Sequence, residues 1–247
     1  MTLRKEDVNH IITTPINAPA FPPINPFFKN REFVQVLYET DKDALKAVVP
    51  EPLKVISNLI KFEVINMPDS TGLGAYLEAG QVIPVEYNGE EGEFYLSMYV
   101  NNQAAITSGR EIAAYPKKAG QPNLYIDNDV VVGTLDYGSL RVAQMTMGYK
   151  YFPIDEQEAQ HIISKPQFML KQVRDYDGNL EKSELTRSQI TKIEIKEAYR
   201  SPARLQLFEH VMAPLADFPV HKIVDGQHII ADLYLDRPKP IFNYLSN

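Results

Sequence analysis

Along most of the chain, apolar residues fall at alternate positions or in short unbroken runs. Both patterns suit strands better than helices. Residues 33–38, 56–67, 82–85, 94–100, 130–132, 140–147, 169–174, 190–199 and 229–235 read as strands on this basis. Asn88-Gly89 is a hairpin turn signal because both residues tolerate a positive φ. Asp136-Tyr137-Gly138 and Asp177-Gly178 turn the chain in the same way. Three helices are expected. Asp41 caps a short one over 43–46 that ends before Pro50. Asp155 with Glu158 forms a capping box for one reaching about Ser164, and residues 204–212 form the third.

No regular alternation of strand and helix appears, so a doubly wound or (β/α)-barrel fold is not expected. The pattern predicts a mainly β chain with some α, built as an antiparallel, partly closed β-barrel-like sheet with peripheral helices. No linker, charged block or fixed-period repeat divides the sequence, and residues 1–247 are expected to form a single domain. Residues 1–30 carry Pro15, Pro19, Pro22, Pro23 and Pro26, which disfavour helix and central strand. Phe21, Phe27 and Phe28 make this an extended arm docked on a core or on a neighbouring subunit.

Composition narrows the chemistry. With 44% apolar residues in 247, a sizeable core forms without covalent staples. There is no cysteine, which removes disulfides and thiolate catalysis and fits a cytoplasmic setting. The net charge of −7 argues against nucleic acid or an anionic membrane as partner. The first residues, Met1 to Asp7, lack the pattern of a signal peptide, and no run approaches the ~20 apolar residues that cross a bilayer.

Several motifs are missing: the dinucleotide-binding Gly-x-Gly-x-x-Gly, the P-loop lysine, His-Glu-x-x-His and the Gly-x-Ser-x-Gly elbow. His221 and His228 are near enough to meet across a turn, but the five histidines read as scattered surface residues, with no metal site expected. The feature that stands out is Tyr115-Pro116-Lys117-Lys118-Ala119-Gly120. Adjacent lysines alone usually mark a solvated loop. Here the apolar run 112–115 leads into the pair and Pro116 stiffens the entry, which holds one amine near a core. Such a lysine attacks a carbonyl only when neutral, and both desolvation and a nearby cation favour the neutral form. Neighbours in a strand face opposite ways, so adjacency alone does not bring Lys118 to Lys117.

Further segments carry a family resemblance. They are Asn30-Arg31-Glu32, Phe62-Glu63, Thr71-Gly72-Leu73-Gly74, Glu78-Ala79-Gly80-Gln81 and Gly109-Arg110-Glu111 leading to Tyr115-Pro116-Lys117-Lys118. Gly133-Thr134-Leu135-Asp136-Tyr137-Gly138, Thr146-Met147-Gly148-Tyr149-Lys150 and Arg204-Leu205-Gln206-Leu207-Phe208 continue them. Taken in order along nearly the whole chain, these segments resemble acetoacetate decarboxylases. The resemblance implies a carboxy-lyase that turns acetoacetate into acetone and carbon dioxide through a lysine imine and an enamine, with no cofactor. A Schiff-base aldolase-dehydratase acting on another keto acid is the alternative. It implies Lys117 as nucleophile and Lys118 as its helper or as packing. Glu78 and Glu63 match the pocket carboxylates, and Arg31 the binder of the substrate carboxylate. Tyr115, Phe28, Met98 and Tyr149 are candidates for the pocket wall. It implies a small-molecule β-keto acid as partner and a large homo-oligomer, often a dodecamer in relatives.

Overall fold

The computed structural model describes residues 3–23 and 25–246. In chain order the elements begin with α1 (Lys5–Val8), β1 (Phe27–Glu39), α2 (Lys42–Val48), β2 (Lys54–Val55), β3 (Leu59–Ser70), β4 (Gly74–Tyr87), β5 (Glu90–Val100), α3 (Gln103–Glu111) and β6 (Lys117–Ala119). There follow β7 (Gln121–Asp127), β8 (Val130–Tyr137), β9 (Leu140–Gly148), β10 (Phe152–Pro153), α4 (Glu156–Ile163), β11 (Gln167–Arg174) and β12 (Leu180–Ser188). The last are β13 (Ile190–Arg200), β14 (Ala203–Leu207), β15 (Lys222–Leu235) and β16 (Lys239–Asn243).

Twelve strands form one sheet in the order β10-β13-β15-β1-β3-β4-β5-β11-β12-β16, with β2 added on β4 and β6 on β5. The other four pair as β14-β9-β8-β7. Pairing is antiparallel except where β11 and β6 join β5. The chain is mainly β, as expected. The sheets are open, however: the long ladder ends at β10 and β16 and the short one at β14 and β7, so neither closes into a barrel among the described residues.

Alternation in β1, β3 and β4 sorts residues onto two faces. On one face Val34, Val36, Phe62, Val64, Ile83 and Val85 pack with Val131, Leu135, Val142 and Met145 of the small sheet. On the other, Phe33, Ile65, Met67 and Tyr76 pack with Ala105 of α3 and with Ala159 and Ile163 of α4. That second face also carries the charged residues described below.

Two further expectations change. Residues 203–207 are strand β14, paired with β9 from Ala203↔Met147 to Leu207↔Ala143, and no helix covers 204–212. Ala203 and Leu205 are buried while Arg204 and Gln206 are exposed, a strand period that the helix-forming residues of this stretch conceal. Asp41 does precede α2, but its carboxylate caps nothing; it lies 2.8 Å from His221 Nε2. Asp155, by contrast, accepts from the Gln157 and Glu158 amides. Asn88 and Gly89 both take positive φ in the β4–β5 turn.

The proline-rich segment has one short helix, α1, ahead of its first proline, and β1 takes in residues 27–30. Residues 1, 2 and 24 of the expected arm lie outside the described residues. Phe21 and Phe28 are both buried. Among the described residues no helix is long and apolar enough to cross a membrane.

Candidate active site

Three strands and one tight turn build the site. In β1 a bulge at Asn30, with φ 51°, resets the alternation so that Phe28 shares a face with Arg31, Phe33 and Gln35. Glu78 of β4 sits between Ile65 of β3 and Val100 of β5. Lys117 opens β6 opposite Met98. The chain reaches β6 from α3 through Ala114, which is left-handed at φ 63°, and the Tyr115 amide donates to Gly109 O at 2.9 Å. Gly109 is the residue against which the lysine lies. A Cβ there would fall 2.6 Å from Lys117 Cδ and 2.9 Å from Cε.

The three side chains converge on one carboxylate. Lys117 Nζ is 3.0 Å from Glu78 Oε2, and Arg31 Nη2 donates to Glu78 Oε1 at 3.4 Å. All three are buried, with Lys117 only 7% exposed. Glu78 Oε2 stands at ion-pair distance from the lysine without an aligned hydrogen bond, and Arg31 Nε has no acceptor among the described residues. Buried polar atoms are nearly always partnered, so these two are unspent bonding capacity. Aromatic rings hold the cations. Arg31 lies over Phe28 and Phe33 at 5.0 and 4.7 Å, and Lys117 over Tyr76 and Tyr115 at 5.6 Å each.

Glu63 belongs to a neighbouring cluster. It accepts from Gln35 Nε2 at 2.9 Å and lies 3.5 Å from Lys61 Nζ, which in turn donates to both oxygens of Glu93 at 2.9 and 3.0 Å. Burial pushes the Glu63 carboxyl up from the ordinary carboxylate range. Burial also opposes the charge on Lys61, but Glu93 and Glu63 outweigh it and raise that amine. Lys118 lies apart from all of these. Its ammonium donates to Met212 O at 2.7 Å and sits over Tyr137 and Tyr99 at 5.0 and 6.0 Å. Strand alternation turns it away from Lys117.

Arg31, Glu78 and Lys117 line a cavity of about 460 Å³ together with Phe28, Tyr76, Tyr95, Met98, Tyr115 and Gln167. Phe21, Pro22, Pro23 and Pro26 of the N-terminal segment complete its wall, and Arg237 Nε donates to Asn25 Oδ1 at 2.6 Å beside it. Tyr149 is not in the lining; its ring is 6.5 Å from that of His228. His228 is buried against Glu32, not on the surface, and His221 pairs with Asp41, so the two do not meet. Glu32 is taken by His228 and Asn66 and leaves Arg31 to Glu78.

Tyr95, Gln167, Lys61 and Glu93 carry no spacing signal in the sequence. They reach the site through long-range pairing. Residues 93–94 and 98–100 of β5 bond to β11 and β6 on the edge that β4 leaves free.

Residues 13–245 match the family model described as Acetoacetate decarboxylase (ADC). This chain belongs to that family. An acetoacetate decarboxylase from Streptomyces nogalater is 51% identical over 244 residues, covering 99% of this chain and 100% of that one. A solved acetoacetate decarboxylase has a TM-score of 0.97 at 49% identity, covering 99% and 100% of the two chains. The crystal structure of acetoacetate decarboxylase from Legionella pneumophila has a TM-score of 0.92 at 38% identity, covering both chains fully.

Proposed function

We propose that this chain is a carboxy-lyase that converts acetoacetate to acetone and carbon dioxide through an imine on Lys117. The observation that carries the reading is the meeting of a buried lysine, a carboxylate and an arginine in one cavity. Glu78, 3.0 Å from the amine, accepts its proton, and the freed lone pair attacks the C3 ketone of the substrate. Loss of water leaves a cationic imine. The electrons of the bond to the carboxylate carbon then move into that imine, carbon dioxide departs and an enamine remains. Protonation at carbon restores the imine, and hydrolysis releases acetone and the amine. The electron sink is the lysine itself, so the sequence of steps draws on no cofactor.

Arg31 is assigned to the substrate carboxylate. Its fork suits a bidentate carboxylate, and its Nε is unengaged. Glu63 is assigned to the charge balance beside the pocket rather than to contact with substrate, because it is absent from the cavity lining. Lys118 is assigned to packing on the outer face of β6. The same reading includes one domain, a large homo-oligomer of dodecamer type and, given the absence of cysteine, a cytoplasmic site of action.

Product analysis tests the proposal. Purified protein should release carbon dioxide and acetone from acetoacetate in equal amounts. Arg31→Ala should lower kcat/KM at least ~10-fold, since a hydrogen bond to a charged group contributes about 1.5–3 kcal/mol. Arg31→Lys should recover only part of this. Condensation of pyruvate with an aldehyde, and no carbon dioxide from acetoacetate, would instead identify an aldolase-dehydratase.

A further inference from the structure

One polar group in the cavity wall has no part in the steps above. Tyr95, Gln167 and Tyr115 all line the cavity, and all are buried. They reach it from three elements. Tyr95 stands on β5 between the segment paired with β11, which brings Gln167, and the segment paired with β6, which follows Tyr115. The two tyrosine rings meet edge-on at 5.6 Å, and the Tyr115 ring is also 5.6 Å from Lys117 Nζ.

The hydrogen bonds among them have a fixed direction. The Tyr115 hydroxyl donates to Gln167 Oε1 in a short contact, and Gln167 Nε2 donates to the Tyr95 oxygen at 3.0 Å. An amide has one accepting end and one donating end. Of two hydroxyls bridged by it, one gives up its proton to the amide and the other keeps its own. Here Tyr95 is the hydroxyl that keeps it, and it has no acceptor among the described residues.

Resting on the Lys117 reading, we propose that the Tyr95 hydroxyl is the hydrogen-bond donor to the substrate's ketone oxygen, with Gln167 as its positioning residue. As Nζ forms its bond to C3, the π pair of the carbonyl moves onto oxygen. Negative charge grows there until the proton lost by nitrogen arrives to give the carbinolamine. A donor fixed in a dry wall stabilises that charge without reorganising. Burial holds the Tyr95 hydroxyl well above its ordinary pKa, so it acts by donating a hydrogen bond and does not give up its proton.

The step can be read apart from decarboxylation by following exchange of the acetone oxygen with heavy-oxygen water. Tyr95→Phe keeps the ring and removes only the donor. Exchange and acetoacetate turnover should both fall by about 100-fold, the loss typical of one such donor, with the unfolding temperature unchanged. Values within twofold of wild type would overturn the proposal. So would full activity in Tyr95→Phe with loss in Tyr115→Phe, which would mean that the amide faces the other way and Tyr115 holds the free proton. Should Tyr95→Phe not fold, Gln167→Leu decides: exchange reduced tenfold or more supports the proposal, and exchange within twofold refutes it. Failure of the Lys117 reading would appear differently, as wild-type protein that borohydride does not label at Lys117.

Discussion

At the scale of single residues, burial and direction matter more than adjacency. Lys117 and Lys118 are neighbours in the chain, yet one enters the cavity and the other crosses to Met212 and Tyr137. The carboxylates divide in the same way: Glu78 faces the amine, and Glu63 is enclosed with Gln35 and Lys61. Burial raises the Glu63 carboxyl, so the folded chain holds that proton more tightly than the unfolded chain does. The stability this contributes is fully present below the unfolded carboxyl's pKa of about 4.3 and is lost as pH rises towards the folded value. Glu63→Gln has no such proton to lose. Urea unfolding of both proteins from about pH 4 to pH 7 should therefore show wild type losing stability relative to Glu63→Gln as pH rises, by at most ~1.4 kcal/mol per pH unit. The opposite slope would mean that Lys61 keeps Glu63 ionised in the fold.

At the scale of elements, the strands with clear alternation and the turns with Asn-Gly or Asp-Gly were legible from local chemistry. Residues 33–38, 94–100 and 140–147 all lie within β1, β5 and β9. What was not legible depended on distant partners. Strand β14 reads locally as helix because Arg, Leu and Gln favour helices, and its pairing with β9 overrides that preference. Helix α3 has the reverse problem. Thr107, Ser108 and Gly109 are weak helix formers, and its clearest signal is Asn102, whose side chain accepts from the Ala105 amide at 2.9 Å. Of the site itself, Arg31, Glu78 and Lys117 were legible through family resemblance, whereas the wall formed by Tyr95 and Gln167 depends on β5 pairing and was not. Gly109 links α3 to chemistry. Gly109→Ala should fold, because alanine favours helix over glycine by about 1 kcal/mol and the obstructed atoms belong to a flexible side chain. The new methyl group displaces the lysine, and a shift of about 1 Å can lower the rate ~100-fold. Turnover should thus drop far more than the unfolding temperature. Unchanged turnover would show that the lysine does not need this path along α3.

At the scale of the whole molecule, two faces of one sheet do different work. One face packs on the small sheet to make the main core, and the other collects Lys61, Glu63, Glu78, Glu93, Arg31 and Lys117, of which Arg31, Glu78 and Lys117 line the cavity walled by the N-terminal segment. The cavity wall therefore includes Phe21, Pro22, Pro23, Asn25 and Pro26 from the start of the chain and residues 235–238 from near its end. Phe152, Val211 and Met212 remain strongly exposed on the single chain, apolar surface of the kind that subunit contacts cover. Native mass measurement at micromolar concentration should find a large homo-oligomer, and a clean monomer would refute that assembly. The proposed mechanism makes Lys117 Nζ the attacking atom, and borohydride reduction during turnover of acetoacetate reads that atom directly. Peptide mass mapping should place the reduced adduct on Lys117, with activity lost permanently and only when substrate is present. An adduct on Lys118, or full activity in Lys117→Ala, would contradict it.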